Sequence, residues 1–229
     1  MAAIRPAIMA AIPIDALSQT ALLTAAGWLS PAFPTGGFAW SHGLEQAIRD
    51  GAVADAAGLA DWMAALLTDG AARSDAILLC LAHRAEGAEL ADLADLAAAL
   101  CPSRERLMET MGQGAAFAGT LRAVRGFDLP DMPYPVAVGR AAALAGLPAQ
   151  PVAALFVQAM LTNLVQAAQR LMPLGQTAAQ GVLHDLLPAM VTCAAEAATA
   201  TEDDLGTAVL AGDSAAMRHE TLQPRIFRS

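Results

Sequence analysis

The chain has 229 residues and a formal net charge of −9, with 56% of residues apolar, 4% aromatic and 15% charged. Alanine fills 57 of the positions; the composition still excludes an intrinsically disordered chain, which lacks apolar groups to offset ordering entropy. All 13 basic residues are arginine and none is lysine, which excludes a G-x-x-x-x-G-K-S/T P-loop and a Schiff-base lysine, while the acidic balance argues against a general nucleic-acid binder.

Residues 1–16 read as a flexible N-terminal segment. MAAIRPAIMAAIPI carries a single arginine and a short apolar run broken by Pro6 and Pro13, so no secretory signal is expected. From about Leu17 to Leu29 the pattern predicts a first helix, stopped at Ser30-Pro31 because a residue before proline disfavours the helical region. The loop SPAFPTGGFAWSHG follows, and a short helix opens near Gly43. The loop holds Phe33, Phe38 and Trp40 beside Gly36 and Gly37. Rings in such a loop serve either to pin it into the core or to form a binding surface, and composition leaves both readings open.

Asp55 is the expected N-cap of a helix through Thr68, with Leu59, Trp62, Met63 and Leu66 on one face. Further helices are predicted over Ser74 to Arg84, Leu90 to Leu100, Ser103 to Arg125, Val136 to Ala145, Val152 to Leu171, Gln176 to Leu186 and Pro188 to Ala200. No run of alternating β-branched residues reads as a strand. The expected fold is therefore all-α, a single domain of about ten helices over 17–212, followed by a flexible tail over 213–229. Mean hydropathy is +0.45, yet the longest uncharged stretch, Ala141 to Gln169, is interrupted by prolines and buried amides. It reads as a core helix and not as a membrane span.

Chemistry-bearing clusters are sparse. His42 and Glu45 lie one helical turn apart and could act as an acid-base pair, which would make the chain a small enzyme; a helix-start contact is the alternative. Cys80 and His83 share that spacing but lack the further ligands of a closed metal site. His184-Asp185 and His219-Glu220 are adjacent pairs that point apart on a helix. Gly112-Gln113-Gly114 lacks the strand and third glycine of a dinucleotide fingerprint and reads as a close helix crossing. Three cysteines, Cys80, Cys101 and Cys193, suit reduced buried thiols in a cytoplasmic protein. No metal ligand set and no intrinsic cofactor are expected. The tail from Met217 carries Arg218, Arg225 and Arg228 against Glu220, and charge alone favours its folding back on the acidic body.

SPAFPTGGFAWSHGLEQAI resembles the signature loop of the urease accessory protein UreF family. Three further segments agree with that family in order: YPVAVGRAAALAGLP, LTNLVQAAQRLMPLGQTAAQ and the C-terminal HETLQPRIFRS. The resemblance implies an all-α, non-catalytic chaperone that forms a homodimer and assembles with UreD (also called UreH), the GTPase UreG and apo-urease. Nickel then enters urease as GTP is hydrolysed, both being handled by the complex. It also implies a tail ordered on the UreD-type partner, against the self-docked reading from charge. The partner-contact candidates carried over are Arg218, His219, Glu220, Arg225, Phe227 and Arg228 in the tail. In the loop they are Gly36, Gly37, Phe38, Trp40, His42 and Glu45, whose alternative role is to shape the loop. Arg170, Pro173, Gly175, Gln176 and Gln180 come from the third segment, where helix-turn-helix architecture is the alternative. Thr35, Trp40 and Gln223-Pro224 depart from the family's usual residues, and a lysine contact to the GTPase cannot exist in this chain. A direct nickel carrier is a third reading, with no ligand cluster to support it.

Overall fold

The computed structural model describes residues 18–229; the N-terminal segment 1–16 lies outside the described residues. Eleven α-helices and no strand are present among them: α1 (Gln19–Trp28), α2 (Leu44–Arg49), α3 (Ala56–Asp69), α4 (Ala71–Arg84), α5 (Gly87–Ala99), α6 (Arg104–Arg125), α7 (Tyr134–Leu144), α8 (Ala149–Leu171), α9 (Gln176–Asp185), α10 (Leu187–Thr199) and α11 (Leu210–His219). The all-α expectation holds, and the side chains of Ser18, Asp55 and Ser103 accept the N–H groups of Ala21, Gly58 and Arg106 at the starts of α1, α3 and α6. Such caps satisfy donors that the first helical turn leaves without partners. α7 and α8 begin two to three residues earlier than the pattern suggested. Pro135 and Pro151 fall in their first turns, where a missing N–H is tolerated.

α4 is the central helix. Ala76 to Cys80 are all buried, and α4 is covered by α3, α7, α8 and α10. Small residues set the closest approaches. A Cβ on Gly139 of α7 would lie 2.1 Å from the carbonyl oxygen of Leu79 on α4, so the two helices touch backbone to backbone. α8 is long and apolar enough to cross a membrane, but 56% of its apolar window is buried inside the protein, mostly against α10, α4 and α2.

Gly112 and Gly114 separate into two different positions. A Cβ on Gly114 would lie 1.9 Å from the Met132 carbonyl oxygen, whereas nothing lies within 4 Å of one on Gly112. The expected close crossing is thus Gly114 against the extended chain that leads into α7. Gly114→Ala is expected to destabilise the protein by about 1–3 kcal/mol, as overpacking does. Gly112→Ala, in the same helix, is expected to stabilise it by about 0.5–1 kcal/mol. Urea unfolding of the two variants should move the midpoint in opposite directions.

The expectation of a flexible tail over 213–229 is corrected. Leu210 to His219 form α11, which packs on α2 and α6, and Leu222, Phe227 and Ser229 are buried. LAGDSAAMRH has no apolar stripe to announce a helix; tertiary contact holds it. A Cβ on Gly43, whose φ is +76°, would lie 2.6 Å from the Ala216 nitrogen, so glycine at that corner lets α11 lie directly on the start of α2.

Candidate functional site

The loop between α1 and α2 is ordered from both sides. Gly36 takes φ +73° and opens a 3-10 turn over Gly37–Ala39. Gly37 meets α8 instead: a Cβ there would lie 3.0 Å from the Asn163 amide nitrogen. The tandem glycines therefore do two jobs, one conformational and one steric. Phe33 sits 5.2 Å from Phe117 between ring centroids, and Phe117 also meets Trp28 and Tyr134 edge-on. Trp40 is buried while Phe38 is 65% exposed. Two rings pin the loop, and one faces solvent.

The tail runs along this loop and α2. Glu45 is the main fastening point. Its carboxylate accepts the backbone N–H groups of Ile226 and Phe227, each at 2.8 Å, and faces His219 Nε2 at 3.2 Å. His219 is fully buried, and its Nδ1 lies 2.7 Å from Glu105 Oε2 on α6. Arg225 pairs with the other oxygen of Glu105. Arg49 donates to the carbonyls of Gln223 and Pro224 at 3.1 and 3.2 Å, and Glu220 accepts the Arg104 N–H at the start of α6 at 2.8 Å. Arg218 pairs with Asp50 at 2.8 Å. Two cation–π contacts complete the dock, Arg170 over Phe227 at 5.7 Å and Arg228 over Trp40 at 5.5 Å.

Behind the loop lies a cavity of about 530 Å³, lined by Phe33, Gly37, Trp40, Tyr134, Phe156 and Asn163 among others. Its polar end is a buried charge network that joins His42, Asp75, Arg106 and Glu109. His42 has φ +52°, unusual for a non-glycine residue, and its Nε2 lies 2.8 Å from Glu109 Oε1. Arg106 pairs with Asp75 and lies 3.5 Å from Glu109, while Gln113 donates to Glu109 at 2.8 Å. Burial raises the Asp75 carboxyl above the ordinary aspartate range despite the opposing guanidinium. For Glu109 burial pushes upward too, but His42 and Arg106 outweigh it and hold the carboxyl below the ordinary range.

The structure gathers the loop and tail candidates, with Arg170, into one site. Pro173, Gly175 and Gln176 instead form the exposed turn from α8 into α9, and Gln180 is exposed within α9. His42 and Glu45 do not pair: one serves Glu109 and the other serves the tail, which removes the geometric basis of an acid-base dyad. Cys80 is buried with its thiol pushed up to about 11 by desolvation, and His83 Nε2 lies 2.7 Å from the Leu147 carbonyl, so that pair is not a metal site. No group of three or more His, Cys, Asp or Glu side chains is placed to hold a metal among the described residues. Glu105, Arg106, Glu109 and Asp75 were not anticipated as site residues. The available signal was their spacing: Glu105, Glu109 and Gln113 recur every four residues on the face of α6 that also carries Phe117 and Leu121, where a core helix should be apolar.

Among the described residues these features define an all-α protein whose buried charges tie distant segments of its own chain together. The UreF family profile matches residues 53–187. Proteins named urease accessory protein UreF are 56% identical over 211 residues in Cereibacter sphaeroides strain KD131, covering 92% of this chain and all of the relative. In Paracoccus denitrificans strain Pd 1222 the figure is 49% over 211 residues, covering 92% of this chain and 97% of the relative. Brucella ovis has one at 45% over 223 residues, covering 95% and 98% respectively. The chain belongs to the UreF family of urease accessory proteins.

Proposed function

We propose that this protein is a non-catalytic chaperone subunit of urease maturation. It acts as a homodimer in the cytoplasm, assembles with a UreD/UreH-type accessory protein and the GTPase UreG, and regulates that GTPase so that nickel is delivered into apo-urease. Family membership across nearly the whole chain is the observation that carries this reading. The site adds support of its own kind. Arg225, Ile226 and Arg228 on the docked tail and Phe38 on the loop are exposed, which suits contact with a partner through arginine and apolar anchors. The absence of lysine agrees with nucleotide phosphates being held by the partner GTPase.

Mixing the purified chain with its UreD and UreG partners at micromolar concentration should give one co-eluting complex by size-exclusion chromatography with light scattering. Separate elution of the three proteins under those conditions would overturn the reading.

A further inference from the structure

Three buried side-chain polar atoms among the described residues make no hydrogen bond within the chain, and two of them, His42 Nδ1 and Glu109 Oε2, belong to residues that line the cavity behind the loop. A buried polar atom without a partner is costly, so its persistence calls for a cause. The rest of the network is already engaged. Glu109 Oε1 takes both His42 Nε2 and the Gln113 amide, each at 2.8 Å, whereas Oε2 has only the Arg106 guanidinium at 3.5 Å. Arg106 itself is paired with Asp75. Glu109, held below the ordinary range, is ionised, so the hydrogen between it and His42 sits on Nε2, and in the neutral ring Nδ1 keeps a lone pair. Two acceptors at this end of the cavity therefore lack donors. An anion would meet two carboxylates, Asp75 and Glu109, against one guanidinium that is already bound; a cation would meet the reverse.

The walls select the rest of the ligand. Phe33 of the loop, Tyr134 of α7 and Phe156 of α8 line the cavity with rings, the last two 5.3 Å apart between centroids. Such rings hold an apolar body and also favour a planar cation near their faces. The volume of about 530 Å³ lies within the roughly 300–1,000 Å³ of small-molecule sites. The mouth is open to solvent past the exposed residues Pro31, Pro34, Phe38 and Gln158, so entry needs no movement of the loop. We propose that this cavity binds an organic cation whose amidinium or guanidinium head donates to Glu109 Oε2 and His42 Nδ1 while its apolar body lies among Phe33, Tyr134 and Phe156. Such a head carries two N–H donors along one planar edge, and its charge strengthens both bonds. This goes beyond the proposed function and needs no partner protein, so the failure of one leaves the other standing.

The test is an NMR titration of the isotope-labelled full-length chain with benzamidine, followed at the Trp40 indole and at the Asn163 and Gln166 side-chain amides, which also line the cavity. Saturable shifts with a Kd of about 1 mM or tighter are expected for a probe of this size. Benzyltrimethylammonium keeps the ring and the charge but has no N–H, and should bind about tenfold more weakly or worse; benzoate should not bind. No saturable shift at benzamidine concentrations about tenfold above that Kd, or either control binding as tightly as benzamidine, overturns the proposal. Glu109→Gln should weaken benzamidine by about tenfold or more. Where that variant fails to fold, Ala159→Phe decides, because it fills the cavity from α8 and leaves the charged end intact; unchanged affinity in the folded variant overturns the proposal. Agmatine and N-acetyl-arginine methylamide then separate the two sources of a guanidinium. Binding of agmatine alone assigns the site to a free small molecule, and comparable binding of both assigns it to an arginine side chain of another protein.

Discussion

Arg106→Leu is expected to lower stability by about 3–5 kcal/mol at pH 7.5, the cost of leaving buried carboxylates without their cation. Arg106 is the guanidinium between Asp75 and Glu109, both with side chains almost wholly buried. Its loss leaves Glu109 with the His42 ring and the Gln113 amide as partners, and Asp75 with none. Against a typical total of about 5–15 kcal/mol this is a large fraction, and the melting temperature should fall by about 10 °C. The pH dependence carries the specific signature. Asp75 titrates above its unfolded value because burial outweighs the guanidinium, so between the two values the folded state binds more protons than the unfolded state. The contribution of such a group is present at low pH and is lost as pH rises through its folded value. Removing Arg106 moves both carboxyls upward, Asp75 further above the ordinary range and Glu109 up from below it, so the gap between variant and wild type should narrow from pH 7.5 to pH 5. Thermal melts at the two pH values measure it. A gap that stays constant would mean that Arg106 acts by packing and not by charge.

Much of the helical framework was legible because it follows local rules. Asp55 and Ser103 announce their helices through their own side chains, and apolar spacing on α3 marks its buried face. Where the reading failed, the deciding contacts were distant in sequence. α11 has no periodic apolar face, and its place depends on glycine at Gly43, more than 170 residues earlier. Charge correctly suggested a tail folded on the acidic body, but it could not say where; Glu45 and Glu105 are spaced 60 residues apart and meet only around His219. The family resemblance identified the loop and tail as special without saying that they touch. His42 and Glu45 show the opposite error: adjacent in pattern, they are drawn to different partners because a left-handed residue turns the chain between them.

Deleting Thr221 to Ser229 is expected to abolish binding to the UreD-type partner while leaving the helical circular-dichroism signal unchanged. The point of cutting matters. A deletion from Met217 would also remove His219, which is fully buried between Glu45 and Glu105, and would leave two carboxylates facing each other in the interior. Cutting after Glu220 keeps that imidazole; it removes Leu222 and Phe227, which lie outside the main apolar cluster, together with the Ile226 and Phe227 N–H groups on Glu45 and the Arg225 guanidinium on Glu105. Burial of Leu222 and Phe227 contributes about 1.5–3 kcal/mol each, so the melting temperature should fall by about 10 °C while the helices of the main apolar cluster stay folded. Loss of the helical signal with this shorter deletion would show that the tail is part of the fold itself. Ile226→Asp in the full chain then separates two ways of binding. Ile226 is 66% exposed and gives Glu45 only its backbone N–H, so the substitution leaves the tail docked. If the partner reads the docked tail, affinity measured by calorimetry should fall by about tenfold or more, as for loss of an apolar anchor. Unchanged affinity in Ile226→Asp, with binding lost in the deletion, would mean that the partner takes up Arg225, Phe227 or Arg228 instead, and Phe227 can be offered only after the tail has left its own groove.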